Sequence, residues 1–138
     1  MKIDFAKIIV DLSNPNKTRA AAASADLASQ IWAGSIDEAT LIQWLESDNE
    51  TLRATTSWAV WDAGSPPHAL KRLMELGTSD KNETVRLNCL RSWIDYHPKD
   101  ALRSITIANF CNDECPAIST RASNAIEAQG PQDIAEIG

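Results

Sequence analysis

Apolar residues recur every three or four positions along most of the chain, the spacing that lines one face of an α-helix. No segment shows the two-residue alternation or the Val/Ile/Thr/Tyr enrichment of a strand. Proline and glycine break the pattern at Pro15, Gly34, Gly64-Ser65-Pro66-Pro67, Gly77, Pro98, Pro116 and Gly130-Pro131, and each glycine reads as a helix stop. The segments between these breaks predict eight helices, over 3–12, 17–33, 37–46, 50–64, 67–77, 83–97, 99–111 and 116–129, with a short tail over 131–138. Short loops make successive helices antiparallel neighbours, grouping them as pairs over 3–33, 37–64, 67–97 and 99–129.

The second helix of each pair recurs with an offset of 33 residues: ETLRATTSWAVWDAG at 50–64, ETVRLNCLRSWIDYH at 83–97 and PAISTRASNAIEAQG at 116–130. Leu52, Val85 and Ile118 correspond, as do Thr56, Cys89 and Ala122, then Val60, Trp93 and Ile126. Ser47, Asp80 and Asp113 precede these helices at the same period and read as their capping residues. Glu50 and Glu83 stand at the capping-box spacing after the first two, and Pro116 takes that place in the third. Residues 17–33 form a weaker copy, as a terminal repeat does. A helical pair of this length cannot bury its apolar stripe alone, whereas stacked copies share a continuous core. The expected fold is all-α: one domain over 1–138, a short right-handed α-solenoid of about four antiparallel helix pairs.

The run Asp80-Lys81-Asn82-Glu83-Thr84-Val85-Arg86-Leu87-Asn88-Cys89 carries an acid in the turn, an apolar–Arg pair ending six residues later, and a small residue three beyond that. It resembles the signature of the HEAT/armadillo-like repeat family. Residues 47–56 keep Ser47/Asp48, Leu52-Arg53 and Thr56, while the last copy keeps Asp113 but has Ser119 at the Arg position and Arg121 two residues late. The resemblance covers roughly residues 36–130. It implies an α-α superhelix in which the turn acid caps the second helix and pairs with the Arg of a neighbouring repeat. Arg53, Asp80, Arg86 and Asp113 would form that ladder. It also implies protein–protein scaffolding, with enzymes and DNA-binders a minority of such folds.

Rotation of about 100° per residue separates core positions from the remainder of each second helix. Leu52, Thr56, Ala59, Val60 and Ala63 share one side of helix 50–64, and Ala54, Trp58 and Trp61 lie roughly opposite. The matching positions are Leu87, Arg91 and Ile94 in helix 83–97, and Thr120, Asn124 and Glu127 in helix 116–129. In a HEAT-like stack this side lines the concave surface. Trp58 and Trp61 are either partner anchors, since Trp is the residue type most enriched in interface hot spots, or aromatics packed on flanking helices. Trp32, Trp44 and Trp93 are assigned to packing. Asp62 and Asp95 are also 33 apart and, with Glu127, form either an acidic row facing a basic surface or a solvated charge row.

Nineteen acids against thirteen bases give a net charge of −6. That disfavours binding to a phosphate backbone and favours a basic protein partner. No run of about 18 apolar residues is present, and Asp4, Lys7 and Asp11 interrupt the first apolar segment, so neither a membrane span nor a signal peptide is expected. Three cysteines, an odd number with Cys89 at a core position, point to a reducing, cytoplasmic setting. Cys111 and Cys115 make a lone C-x3-C without the second pair a structural zinc site uses. His68 and His97 lack a Ser or Cys partner at a recognisable spacing, and His97 suits a helix C-terminus electrostatically. No phosphate loop, HExxH or GxSxG occurs, so neither cofactor nor metal is expected.

These features favour a non-enzymatic, monomeric or weakly associating binding module. Its contact set would be Trp58, Trp61, Asp62, Leu87, Arg91, Ile94, Asp95, Asn124 and Glu127. A small acidic protein without chemistry of its own suits inhibition of a basic protein such as a toxin nuclease, as an immunity protein or antitoxin does. The alternatives are a generic scaffold or adaptor subunit and a small HEAT-like enzyme, a cofactor lyase or glycosylase.

Overall fold

Asparagine and aspartate open most of the helices. The side chains of Asp4, Asn16, Asp37, Asn49, Asn82 and Asp100 each accept a hydrogen bond from a backbone N–H two or three residues on, which satisfies donors that have no partner within the first helical turn. The computed structural model describes the backbone of residues 4–135 and the side chains of residues 4–128. Within it run α1 (Phe5–Leu12), α2 (Lys17–Trp32), α3 (Glu38–Leu45), α4 (Glu50–Ala63), α5 (Pro67–Leu76), α6 (Glu83–Tyr96), α7 (Ala101–Phe110) and α8 (Pro116–Ala135), with a 3-10 turn over Gly77–Ser79. No strand occurs among the described residues, and the fold is all-helical. No described helix is long and apolar enough to cross a membrane.

The packing order follows the 33-residue repeat. Helix α4 lies against α2 and α6, and α6 against α8. Helix α3 packs on α4 and α5, α5 on α6, and α7 on α6 and α8, while α1 rests on α2 and α4. Corresponding positions of the second helices meet in the core: Leu52, Val85 and Ile118 are buried, as are Thr56, Cys89 and Ala122, then Val60 and Trp93, with Ile126 half-buried. Burying each such Leu, Ile or Val contributes about 1.5–3 kcal/mol.

Three details depart from the sequence reading. Trp32 is 72% exposed rather than packed. Leu27 and Ile31 take the inward face of α2, and the next residue is rotated about 100° away from it. Gly77 is not a left-handed helix stop: its φ is −69°, and its role is close approach, because a Cβ there would run into the Cβ of Cys89. Gly64 does end α4 in the left-handed conformation, at φ 65°. Finally, Gly130 and Pro131 do not end the last helix, which continues to Ala135 although an interior proline forgoes one helical hydrogen bond. The expected first-helix residue 3 and the tail residues 136–138 lie outside the described residues.

Candidate functional site

The turns ahead of α4, α6 and α8 are built alike. Ser47 Oγ accepts from the Asn49 N–H at 3.0 Å, Asp80 Oδ1 from the Asn82 N–H at 2.8 Å and Asp113 Oδ1 from the Cys115 N–H at 2.9 Å. Ser47 and Asp80 therefore close the turn before each helix and are not its N-cap. Capping falls two residues later, to Asn49, which accepts from the Leu52 N–H at 3.0 Å, and to Asn82, which accepts from the Thr84 and Val85 N–H groups at 2.8 and 3.1 Å. Asp80 is needed elsewhere. Arg53 grips it with Nε and Nη2, both at 3.1 Å, and Arg86 grips Asp113 in the same way at 2.9 and 3.2 Å. Each Arg uses Nη1 on a carbonyl of its own turn, Ser47 O at 2.9 Å and Asp80 O at 3.0 Å. Glu50 does not complete a capping box on Ser47; its carboxylate accepts from Asn82 Nδ2 at 2.8 Å and ties two turns together.

Burial pushes the Asp113 carboxyl up, but hydrogen bonds from Arg86 and the Cys115 N–H, with the Arg86 charge, outweigh it and hold the group below its ordinary value of 3.8. Its hydrogen bond to the carboxylate raises Arg86 in turn. In α8, Ser119 occupies the Arg position and bonds only to Pro116 O at 3.4 Å, while Arg121 is exposed. Among the described residues the ladder thus has two rungs.

The other side of the second helices carries the aromatic cluster. Trp58 is 42% exposed and Trp61 is half-buried against the core. The Arg91 guanidinium lies 4.7 Å from the Trp61 ring centroid and 5.7 Å from that of Trp58, within cation–π range of both. Trp61 Nε1 donates to Asp95 Oδ2 at 2.9 Å, and Tyr96 OH donates to the Trp61 carbonyl at 2.6 Å. Beneath Arg91, Asn88 Nδ2 donates to Ser57 Oγ at 3.0 Å, both residues being fully buried, and Asn88 Oδ1 accepts from Arg91 Nη1 at 3.3 Å. Arg91 Nε is buried with no hydrogen-bond partner among the described residues. Burial disfavours the charge on Arg91, Arg121 opposes it further, and Asp95 offsets these only in part.

The structure therefore brings Trp58, Trp61, Arg91 and Asp95 together. Leu87 and Ile94 are half-buried and pack against the core, so they form the floor of the surface. Asp62, Asn124 and Glu127 are exposed. The charges of Asp95 and Asp62 reach Tyr96, whose hydroxyl is pushed up first by burial and then by these two carboxylates. An open groove of about 700 Å³ runs beside Ile94, Thr120, Arg121 and Asn124, and a smaller one of about 360 Å³ is bordered by Ala20, Ser24, Ala54 and Trp58.

Sequence reasoning missed the buried Ser57–Asn88 bond and Arg103. The available signal was an Asn inside an apolar helical stripe, where only a hydrogen-bonded side chain is tolerated. Arg103, 5% exposed, donates to Trp93 O and Ile94 O at 3.1 and 3.0 Å and so satisfies carbonyls near the end of α6. Its position on the inward face of α7 could have pointed to it. The remaining chemistry-bearing residues lie apart. His97 stacks on Trp93 with centroids 4.5 Å apart, and exposed His68 stands 4.0 Å from Glu38. Cys89 is buried and its thiol is pushed up to about 12 by burial, while Cys111 and Cys115 are free and half-buried. Among the described residues no three His, Cys, Asp or Glu side chains converge. The chain matches no family model, no curated protein and no solved structure.

Proposed function

We propose that this chain is a non-enzymatic protein-binding module: a short right-handed, HEAT-like α-solenoid that captures a basic partner on the surface formed by α4, α6 and α8. The most fitting role is an immunity- or antitoxin-type inhibitor acting in the cytoplasm, covering the working surface of a cationic protein such as a toxin nuclease. The observation that carries the reading is Trp58. It is a large aromatic left 42% exposed, on a helix whose core stripe is already filled, beside a guanidinium held over the neighbouring indole. An exposed Trp with restrained neighbours gives contact area at low ordering cost, which is what an interface centre requires. The packing order α2–α4–α6–α8 and the two Arg–Asp rungs support the solenoid arrangement. Exposed Asp62 and Glu127 and a net charge of −6 suit the capture of a cation-rich surface.

The test is affinity capture from the source cell with the wild-type chain and with Trp58→Ala, alongside their melting temperatures. The expected result is a basic protein held by wild type and released by the variant, whose melting is unchanged. An interface-centre Trp typically contributes at least about 2 kcal/mol, some thirtyfold in Kd. Collapse of the variant's fold, or undiminished capture of the same protein, overturns the proposal.

A further inference from the structure

A second surface shares no residue with the one around Trp58. Helix α3 packs along α5, but between α1, α3 and the start of α4 the chain leaves an open groove of about 960 Å³. Trp44 and Leu52, each 4% exposed, form its floor, and Ile9 and Ile42 flank them half-buried. Phe5 stands at its edge 42% exposed, the ring edge-on to Trp44 with centroids 6.2 Å apart. The rim carries one sign of charge. Among the described residues that border the groove, Glu46 and Asp48 are acidic and none is Lys, Arg or His. Asp48 is exposed and has no ion pair among the described residues. Glu46 holds Arg72 through Oε2 alone, at 2.6 and 2.7 Å, and its Oε1 has no partner among the described residues. Lys7 is two residues from both Phe5 and Ile9, which turns it about 200° round α1 from their side.

We propose that this groove docks a basic, apolar segment of a partner protein: a short amphipathic helix with aliphatic residues on one side and Lys or Arg beside them. Helix α3 sets the length, since its 8 residues span about 12 Å, roughly two helical turns. An amphipathic helix laid into an apolar groove is a recurrent mode of recognition, and charges at the rim select the sign of the partner. Asp48 and the unpaired oxygen of Glu46 make that selection here. A second copy of the chain is the poorer occupant. Its own exposed apolar pair, Leu102 and Ile105, follows Lys99 and Asp100, whose charges cancel. Docking in this groove does not depend on the Trp58 surface.

The probe is a capped peptide, Lys-Leu-Ala-Lys-Leu-Leu-Lys-Lys-Leu-Ala-Lys, with a counterpart in which every Lys is Glu. Each is titrated into the full chain while the indole N–H signals are followed by NMR, which separates Trp44 from Trp58. The Lys peptide is expected to move the Trp44 signal to saturation and leave that of Trp58; the Glu peptide is expected to move neither. Ala39→Arg sets a long cationic side chain at the exposed border of the groove, on a helix that accommodates Arg well. It is expected to raise the Kd at least about tenfold with melting unchanged. Asp48→Lys, also exposed, is expected to weaken binding several-fold at low salt and less at about 0.1 M. Equal responses to the two peptides, or binding unaltered in both variants, overturn the docking. So does a Trp44 signal that moves with protein concentration alone, which makes a second copy the occupant. A chain lacking residues 1–3 that binds the Lys peptide at least about tenfold tighter overturns it too, because that segment is then the occupant. Movement at Trp58 instead of Trp44 removes the groove and leaves the binding-module reading standing. Undiminished partner capture by Trp58→Ala, with the Trp44 response intact, removes that reading and retains the groove.

Discussion

Removing the Asp80 carboxylate tests whether the repeat is held by its ladder. Asp80→Ala deletes three hydrogen bonds at once, two from Arg53 at 3.1 Å and one from the Asn82 N–H at 2.8 Å. The turn bond alone accounts for about 1 kcal/mol, as for an ordinary net hydrogen bond. The larger effect is on Arg53, whose side chain is 16% exposed against 11% for Asp80. Stripping the partner from a fully buried pair costs about 3–5 kcal/mol. Arg53 keeps its bond to Ser47 O and some water contact, so the lower end applies and, with the turn bond, the expected total is about 4 kcal/mol. Asp80→Asn keeps the turn acceptor but not the charge, and should lose roughly half as much. The assay is equilibrium urea unfolding of both variants, of Arg53→Met and of the Arg53→Met/Asp80→Ala double variant. A coupling of about 2 kcal/mol between the two sites is expected. A loss of no more than about 1 kcal/mol with additive single effects would make the rung an ordinary surface ion pair and refute the reasoning.

Acid should act through the second rung. The folded-state pKa of Asp113 is depressed below 3.8, so its contribution is complete above about pH 4 and is lost as pH falls through the folded value; Asp113→Asn should flatten the acid limb of a stability–pH curve, and an unchanged limb counts against the pairing. Gly77→Ala pushes a Cβ onto Cys89 and should cost about 1–3 kcal/mol, read as a lower urea midpoint. Asp62→Lys, at an exposed site, should slow partner association several-fold at low salt and much less at 0.1 M, where charges are screened over about 10 Å; a rate indifferent to both charge and salt contradicts electrostatic capture.

The helical elements were legible because the apolar period and the Pro/Gly punctuation agree, and the 33-residue register placed Leu52, Val85 and Ile118 in one buried layer. Caps were misplaced by two residues at Ser47 and Asp80. Sequence spacing marks where a turn starts, but not which of its polar side chains accepts from the turn's own N–H and which from the first helical N–H groups. Trp58 and Trp61 looked equivalent in the sequence, three residues apart on one side of α4. They differ because α6 supplies Asp95 and Tyr96 at the level of Trp61 only, and that pairing depends on the register between two helices. Trp32 was assigned to packing on residue type alone, and burial of the neighbouring Leu27 and Ile31 left it outside.

The cross-links between second helices are unevenly distributed, and this sets which wall of the surface is fixed. Helices α4 and α6 are joined at three heights: by Arg53–Asp80 and Glu50–Asn82 at the N-terminal end, by Ser57–Asn88 in the middle, and by the Trp61–Asp95 and Tyr96–Trp61 bonds at the far end. One repeat further on, the positions of Ser57 and Asn88 become Leu90 and Arg121, and those of Trp61 and Asp95 become Ile94 and Ala128. Among the described residues, only the N-terminal rung, Arg86–Asp113, has a counterpart between α6 and α8. Beyond it the 700 Å³ groove opens beside Ile94 and Asn124. Trp58 therefore stands on a plate already ordered before any partner arrives, whereas among the described residues α8 is held to α6 by a polar rung at its N-terminal end. A pre-ordered aromatic lowers the entropic cost of docking.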